Sequence, residues 1–444
     1  MEKSLKENFP EIKDKWNEEQ NKYKAGSKYF TNTDSFRFQN WKVDGKKAPA
    51  HLNLYKSAIE RFSQLGKKDG KYSILVPDNF ATDNGAAGLR HLLFDHYHVI
   101  EFLSFANRKK IFKAVDIRYK FGCLSFEGKD TAQNTNNFNV FFYRTDLEDL
   151  NNITVKYEYP IEFLKQIEPE GYNMVETPDQ KTFKLFKKIQ TAFPLLRESK
   201  LISFSYELNR TYDSILFNPI DSDLSQIPMY EGKSMNQFKL LPSKIKYGIS
   251  HNQIPNLLVP KTNAYRIALR TVASATNQRS LIATLLPKNT ISSNSLVTQN
   301  TPDKMNLSNK LFILGIINSY VLDFILRQLI SINVNNIYLR RLPLPNLADF
   351  HDADKIIEIV AYLLRENKGY YDELDKFISG DAYQKYNHDK LIAELNARVM
   401  IDFGLTRQEV VILMHTFESA NHTKDVQEET QRILDCYDKL SEES

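Results

Sequence analysis

From His51 onward, apolar positions alternate between the helical and the strand period. Asn53–Leu65 carries them at helical spacing, a turn follows at Lys67–Gly70, and Tyr72–Val76 is a short apolar run closed by Pro77. GAAGLRHLLFDHY reads as a second helix, and HVIEFLSFA and IRYKFGCLSFEG as two further strands. Helix, buried strand, helix, strand is the alternation of an α/β sheet, here with about three strands and no glycine-rich first βα turn. Further on, NNFNVFFYR reads as a strand. Gln180–Ser199 reads as a basic amphipathic helix broken near Pro194, and LISFSYELNR as a strand. Leu311–Ile330 is the most apolar run. Its helical spacing, with Asp323 and Arg327 inside it, predicts one buried helix rather than a membrane span. Lys288–Ser308 reads as a Ser/Asn-rich loop. Lys355–Asn367, Tyr370–Ile378 and Asp389–Phe403 are predicted helices. Gly404 is a predicted helix stop, and Thr406 with Glu409 a capping box. The segment after Thr423 is expected to fray. Residues 1–50 are charged and irregular, with a helix expected near Lys6–Ala25 and then an extended loop.

Composition narrows the class. The 444 residues are 42% hydrophobic and 26% charged, enough apolar material for a core and for two or three domains. The net charge of +4 is compatible with nucleic acid without requiring it. Two cysteines, Cys123 and Cys436, supply neither a disulfide framework nor a zinc site, and a reducing cytoplasm is expected. The charged N-terminus has no apolar core of a secretory signal. His96 and His98, two apart, would share one side of a strand as a surface pair.

One stretch concentrates candidate chemistry. YRIALRTVASATNQRSLIATLLP (Tyr265–Pro287) sets Arg266, Arg270 and Arg279 among Thr271, Ser274, Thr276, Asn277, Gln278 and Ser280. Arginine pairs bidentately with guanine, and Asn or Gln with adenine, so Arg266, Arg270, Asn277, Gln278 and Arg279 are the candidate DNA contacts. The plainer reading is a polar loop between two strands. Arg340 and Arg341, beside LPLP, are candidates for the DNA backbone. Lys109, Lys110, Lys113 and Arg118 form a basic cluster that would line a backbone groove or simply face solvent. Asp221, Glu231 and Lys233 have the order of a Mg-dependent nuclease trio, a short pattern that arises often by chance.

Several stretches resemble one family in the same order. Leu54–Tyr55, Leu75–Pro77, Leu89–Arg90 and FANRKKIFKAVDIRYKF (Phe105–Phe121) resemble the second half of the catalytic domain in large N6-adenine DNA methyltransferases. These are the type IIG restriction–modification enzymes and the methylases of BREX phage-defence systems. MYEGKSMNQF (Met229–Phe238), Tyr265–Pro287, INSYVLDFILRQ, LRRLPLP and AELNARVMIDFGLTRQEVVILMHTF are similar to that family's target-recognition and closing helical landmarks. The resemblance implies an α/β fold: a partial methyltransferase-type sheet, then a mixed α/β target-recognition domain and a C-terminal helical region. It implies boundaries at 1–50, 51–130, 131–200, 201–350 and 351–444. It places Phe112 where an aromatic stacks on an extruded adenine, a core phenylalanine being the alternative. It places Asn53 and Tyr55 beside S-adenosylmethionine, and Lys233 at the entry of the recognition domain.

The departures shape the functional expectation. The family's glycine-containing cofactor loop and its Asn/Asp-Pro-Pro-aromatic tetrapeptide are missing, and the chain contains no Pro-Pro dipeptide. The family's N-terminal nuclease domain is missing too. The expectation is a C-terminal part, from a split enzyme or a truncated gene, that binds duplex DNA. It would use S-adenosylmethionine only if a partner subunit supplies the missing motifs. The exposed edge of an incomplete sheet would pair with that partner, or with a second copy, along residues 51–126.

Overall fold

The computed structural model describes residues 10–32, 34–43, 45–47, 53–67, 69–128, 136–199, 201–220, 226–273, 277–330, 333–380, 383–418 and 423–443. The chain divides into two compact units, residues 1–180 and 181–444.

In the first unit, helix α1 (Pro10–Asn32) precedes α2 (Leu54–Leu65), β1 (Lys71–Pro77), α3 (Ala87–His96), β2 (Tyr97–Ala106), β3 (Lys120–Gly128), β4 (Asn137–Arg144), β5 (Tyr157–Pro160) and α4 (Ile161–Ile167). The sheet order is β1-β3-β2-β4-β5. Strand β3 runs antiparallel to both neighbours, so β1 and β2 are parallel, joined through α3, with β3 inserted between them. Strand β4 pairs in parallel with β2, and β5 closes that side. Residues 51–130 thus supply the three strands expected of them, and Asn137–Arg144 and Tyr157–Pro160, from the segment expected as a bridge, add two more. Ile117–Tyr119 lie in a loop ahead of β3, not in the strand.

Local chemistry accounts for the main joints. Asn53 caps α2, its Oδ1 accepting from Tyr55 N at 3.4 Å. Arg90 is fully buried on α3 and donates to the carbonyls of Phe80, Asp83 and Gly171, tying three segments together. The segment expected to be a charged loop is in fact packed. Phe36, Phe38 and Val43 are buried, and the Trp41 ring stacks on His91 at 4.2 Å. Gly88 permits this approach, since a Cβ there would lie 2.0 Å from Phe38 O. The expected helix near Lys6–Ala25 is found as α1, its first residues lying outside the described ones. His96 ends α3 while His98 lies on β2, bonded to Glu127 Oε1 at 3.0 Å, so the two do not share a strand face.

The second unit begins with α5 (Gln180–Gln190), which stops ahead of Pro194. Two four-stranded sheets follow. One is built of β6 (Phe204–Ser205), β10 (Arg266–Arg270), β11 (Ala283–Leu286) and β13 (Leu296–Gln299), in the order β11-β10-β13-β6. The other contains β7 (Asn218–Pro219), β8 (Gln226–Tyr230), β9 (Tyr247–Ser250) and β12 (Ile291–Ser292), in the order β12-β8-β9-β7. Lys288–Ser308, expected as loop, thus supplies a strand to each sheet.

The apolar run forms two helices, α6 (Leu307–Ile317) and α7 (Tyr320–Leu329), bent by 59°. The break has a polar cause. Asn318 bonds both the N–H and the C=O of Ala283 at 2.9 Å, and Ser319 caps α7. Among the described residues no single helix is long and apolar enough to cross a membrane. Helices α8 (Ala353–Arg365), α9 (His388–Asp402) and α10 (Arg407–His415) follow. Residues 370–378 hold only a short 3-10 turn, Leu374–Phe377. Gly404 takes φ +68° after α9, and Thr406 and Glu409 form the capping box of α10. The segment expected to fray is instead helix α11 (Thr423–Glu443), with Val426, Ile433 and Leu434 buried. Residues 201–350 and 351–444, the expected recognition domain and helical region, both lie in the second unit.

Candidate nucleic-acid interface

In the first unit, the carboxyl ends of parallel strands β1, β2 and β4 lie together, the usual ligand-facing end of an open α/β sheet. There the loop Asn107–Tyr119 is shaped by one buried side chain. Asn107 Nδ2 donates to Phe112 O at 3.0 Å and to Val115 O at 2.8 Å, and its Oδ1 accepts from Phe112 N at 2.9 Å. Lys110 takes the left-handed conformation, φ +54°. The loop thus presents Phe112, Val115, Ile117 and Tyr119 as exposed apolar groups. Phe112 meets Phe121 edge-on at 4.8 Å, half seated on the sheet and half open.

The basic cluster splits in two. Lys109 pairs with Asp146 at 2.5 Å and Arg118 with Asp116 at 2.9 Å. Lys110 and Lys113 are exposed and have no ion partner among the described residues. Beside this loop lies a group the sequence reading did not single out. Lys120 Nζ sits 3.1 Å from Asp78 and 3.3 Å from Glu176, and Tyr143 donates to Glu176 at 2.5 Å. Burial, then the charge of Asp78, pushes the Glu176 carboxyl up despite the lysine.

The residues expected beside S-adenosylmethionine lie at the start of α2. Asn53 Oδ1 is engaged in capping α2, and the Tyr55 hydroxyl is buried without a hydrogen-bond partner. Asp83 Oδ1 already caps the Asn84–Ala86 turn. Two of these side chains are thus committed to caps while the Tyr55 hydroxyl is left without a partner, and no transfer step follows from them.

In the second unit, the β10–β11 connection is the polar loop of the plainer reading, and it also carries the expected contacts. Four of the five come together. Arg270, Asn277, Gln278 and Arg279 line one cleft of about 770 Å³, with Asn236, Gln237, Lys239, Tyr320 and Arg432. The cleft is anchored from α7. Asp323 accepts from Arg279 Nε at 2.7 Å and from Ser280 N at 3.0 Å, and Arg327 donates to Asn277 O. The Arg279 guanidinium lies 4.0 Å from the centroid of the Tyr320 ring. Asn277 and Gln278 are thereby left exposed on a fixed backbone. Ser274 and Thr276 lie outside the described residues.

Arg266 is the exception. Its side chain is sealed, paired with an equally buried Glu207 at 2.7 Å, and further bonded to Thr290. A guanidinium so enclosed holds two sheets together and is not available to a surface ligand. Arg341 is also buried, with its carbonyl taken by Gln190, while Arg340 is exposed. Lys233 is half exposed and pairs with Glu231 at 2.9 Å. Glu231 is buried, also bound by Arg210 at 2.5 Å, and forms a capping box with Ser234. Two cations therefore occupy the carboxylate that a nuclease would offer to Mg²⁺. Asp221 lies outside the described residues, and among those described no group of three metal-binding side chains occurs.

Comparison with known proteins agrees with the first unit. Residues 29–112 match the Eco57I restriction-modification methylase family, so this part of the chain is restriction–modification methyltransferase-like. The match begins within α1 and takes in the packed segment around Phe38. A search of curated proteins finds no match. Among solved structures, the type IIG restriction endonuclease BpuSI aligns at 11% identity and TM-score 0.34, over 89% of this chain and 50% of its own. The type IIL restriction-modification enzyme MmeI in complex with DNA aligns at 12% and 0.45, over 82% of this chain and 52% of its own. The chain spans about half the length of these two proteins. Identities this low leave each residue's role to be argued from its own surroundings.

Proposed function

We propose that the chain is the DNA-recognition part of an N6-adenine DNA methyltransferase of a restriction–modification or phage-defence system, of the type IIG kind. It binds duplex DNA, and S-adenosylmethionine and the methyl-transfer chemistry come from a partner polypeptide carrying the cofactor loop and the Pro-Pro tetrapeptide. The observation that carries this reading is the cleft. It gathers Arg270, Asn277, Gln278 and Arg279 on a loop pinned by Asp323 and Arg327. Exposed amides on a backbone tied to α7 suit base-edge recognition. The first unit supports it with an aromatic and basic loop at the carboxyl ends of its strands. Two free cysteines suit a cytoplasmic setting.

An exposed apolar stripe on α2 supports a protein partner in this reading. Lys56, Ser57 and Glu60 are buried, while Leu54, Phe62 and Leu65 are exposed at 76%, 49% and 68%. Among the described residues the far edge of β1 is unpaired, and Leu75 on that strand is 53% exposed. An α/β partner that adds a strand to β1 and lays a helix on this stripe would complete both.

The test is selection of bound duplexes from a random library by the purified chain, followed by incubation with labelled S-adenosylmethionine. An enriched sequence with no methyl incorporation by the chain alone is expected. No enrichment, or clear incorporation by the chain alone, would overturn the proposal.

A further inference from the structure

We infer that the cleft of the second unit is built to take a phosphate group, received by Arg270 and Arg432 with Lys239 as a further cation on its wall. The inference rests on the DNA reading only for the source of that phosphate. Its basis is an imbalance of donors. Arg270 leaves the end of β10 and gives one bond, to Met235 O, while its Nε is buried without an acceptor. Arg432, on α11, lines the same cleft, and its Nε is likewise buried without an acceptor. Neither guanidinium has a carboxylate partner among the described residues. A buried N–H without an acceptor is rare in a native fold, and two on one cleft mark a missing acceptor.

The carboxylates that line the cleft do not fill this role. Glu366 is taken by His388 Nδ1 at 3.0 Å, and Glu429 accepts from the Tyr320 hydroxyl at 2.7 Å. Asp389 lies in the first turn of α9, where the helix dipole favours it. Two guanidinium groups without a carboxylate partner, with Lys239 on the same cleft, suit a group that accepts only and carries negative charge, which is the chemistry of a phosphate oxygen. The cleft then separates two tasks. The guanidinium groups fix the backbone, and the Asn277 and Gln278 amides are left for base edges. Arg432 comes from a helix more than 150 residues after the loop it would assist.

The experiment uses the full chain with two probes. Inorganic phosphate is added at constant ionic strength while the melting temperature is followed, and a selected duplex is titrated across salt concentrations. Arg432→Gln is the main variant. Arg270→Gln is the second, because loss of its bond to Met235 also disturbs the loop. Phosphate is expected to raise the melting temperature of the wild type, and Arg432→Gln to remove most of that rise. On duplex DNA, Arg432→Gln is expected to lower affinity about tenfold on every sequence and to reduce the salt slope by about one. Asn277→Ala with Gln278→Ala should change sequence preference and keep the slope. If the wild type binds duplex and Arg432→Gln matches it in affinity and slope, the phosphate site is wrong and the DNA reading stands. If no duplex is bound but phosphate stabilises in an Arg432-dependent way, the site stands and the DNA reading falls. If neither probe binds, both fall.

Discussion

Replacing Arg266 by alanine separates fold from recognition at the residue where the two are most easily confused. The side chain is buried with Glu207, which also accepts from Ser292 N at 2.7 Å and Thr298 Oγ1 at 2.8 Å. Removal leaves that carboxylate enclosed with neutral donors only. Breaking a buried pair from one side costs about 3–5 kcal/mol. For a unit of this size each kcal/mol moves the melting temperature by about 2–4 °C, so a fall of about 10 °C is expected. Burial alone would raise the Glu207 carboxyl, but Arg266 beside it outweighs that and holds it below the usual range. In the wild type this pair therefore stabilises above the unfolded carboxylate pKa and is lost as pH falls through the lower folded value. In the variant Glu207 keeps only the charge of Lys261 against its burial and is raised, so its stability loss shrinks as the pH drops. Urea unfolding at pH 7 and pH 4.5 reads both effects, and the gap between the proteins should narrow at the lower pH. Arg266→Met with Glu207→Leu should recover most of the loss. Duplex affinity, measured well below the melting temperature, should be unchanged. A variant as stable as wild type that loses DNA binding would refute the reasoning.

Asp323→Ala frees Arg279 and Ser280 N at once and should cost about 3 kcal/mol in urea unfolding, with weaker duplex binding in gel-shift titrations. Glu176→Gln should stabilise the protein at pH 7–8. The raised wild-type carboxyl favours the fold below the unfolded pKa and loses that contribution as pH rises through the folded value, so the advantage should close near pH 4. Phe62→Glu with Leu65→Glu should remove self-association or partner capture seen by light scattering without shifting the melting temperature by more than about 2 °C, because both side chains are exposed. A wild-type chain that is a monodisperse monomer and binds no partner would count against the docking surface. Glu231→Ala should lower stability through loss of the Ser234 capping box, and no Mg²⁺-dependent cleavage should exist to be lost, as a plasmid nicking assay will read.

Local signals were legible and distant ones were not. Thr406, Glu409 and Gly404 act within a few residues of themselves, so the cap and the stop could be read directly. The α6–α7 break could not, because Asn318 turns the chain by bonding Ala283, a strand residue 35 positions away. Arg266 and Arg279 look alike in sequence. One is buried because Glu207 lies 59 residues before it, and the other reaches the cleft because Asp323 and Tyr320 hold it there. α11 carries many charges, and its buried Val426 and Ile433 count only once α9 and α10 are beside it. The cleft loop itself was found through residue type, since Asn, Gln and Arg are the side chains that pair with base edges, although the same residues also suit a plain polar loop. Arg432 gave no such signal, being one cation in a charged helix.

The places where local pattern and burial disagree carry the most information about function. A helix optimised for its own fold would bury Leu54, Phe62 and Leu65 and expose Lys56 and Glu60, whereas α2 buries Lys56 and Glu60 beside Ile59 and leaves the three apolar side chains exposed. The inward charged groups are paired: Lys56 with Asp83 at 2.9 Å, and Glu60 accepts from Phe38 N at 3.0 Å, while the Ser57 hydroxyl is buried without a partner. The inward charges are thus held from within the unit, yet the arrangement leaves an apolar stripe in water that folding alone does not require. The same holds for the loop after β2, where Asn107 makes four hydrogen bonds to keep Phe112, Ile117 and Tyr119 outside the core. Consistency across levels is the rule for a sequence selected only to fold, and departures that are fully supported by their surroundings point to selection for a contact. By that argument the first unit offers two separate surfaces. One, the stripe and open strand edge, suits protein. The other, ringed by Lys110 and Lys113, suits a polyanion. A double variant of Lys110 and Lys113 to glutamine should weaken duplex binding in proportion to salt slope and leave association untouched, whereas the Phe62 and Leu65 variant should do the opposite. Coupled loss of both properties in either variant would mean that the two surfaces are one.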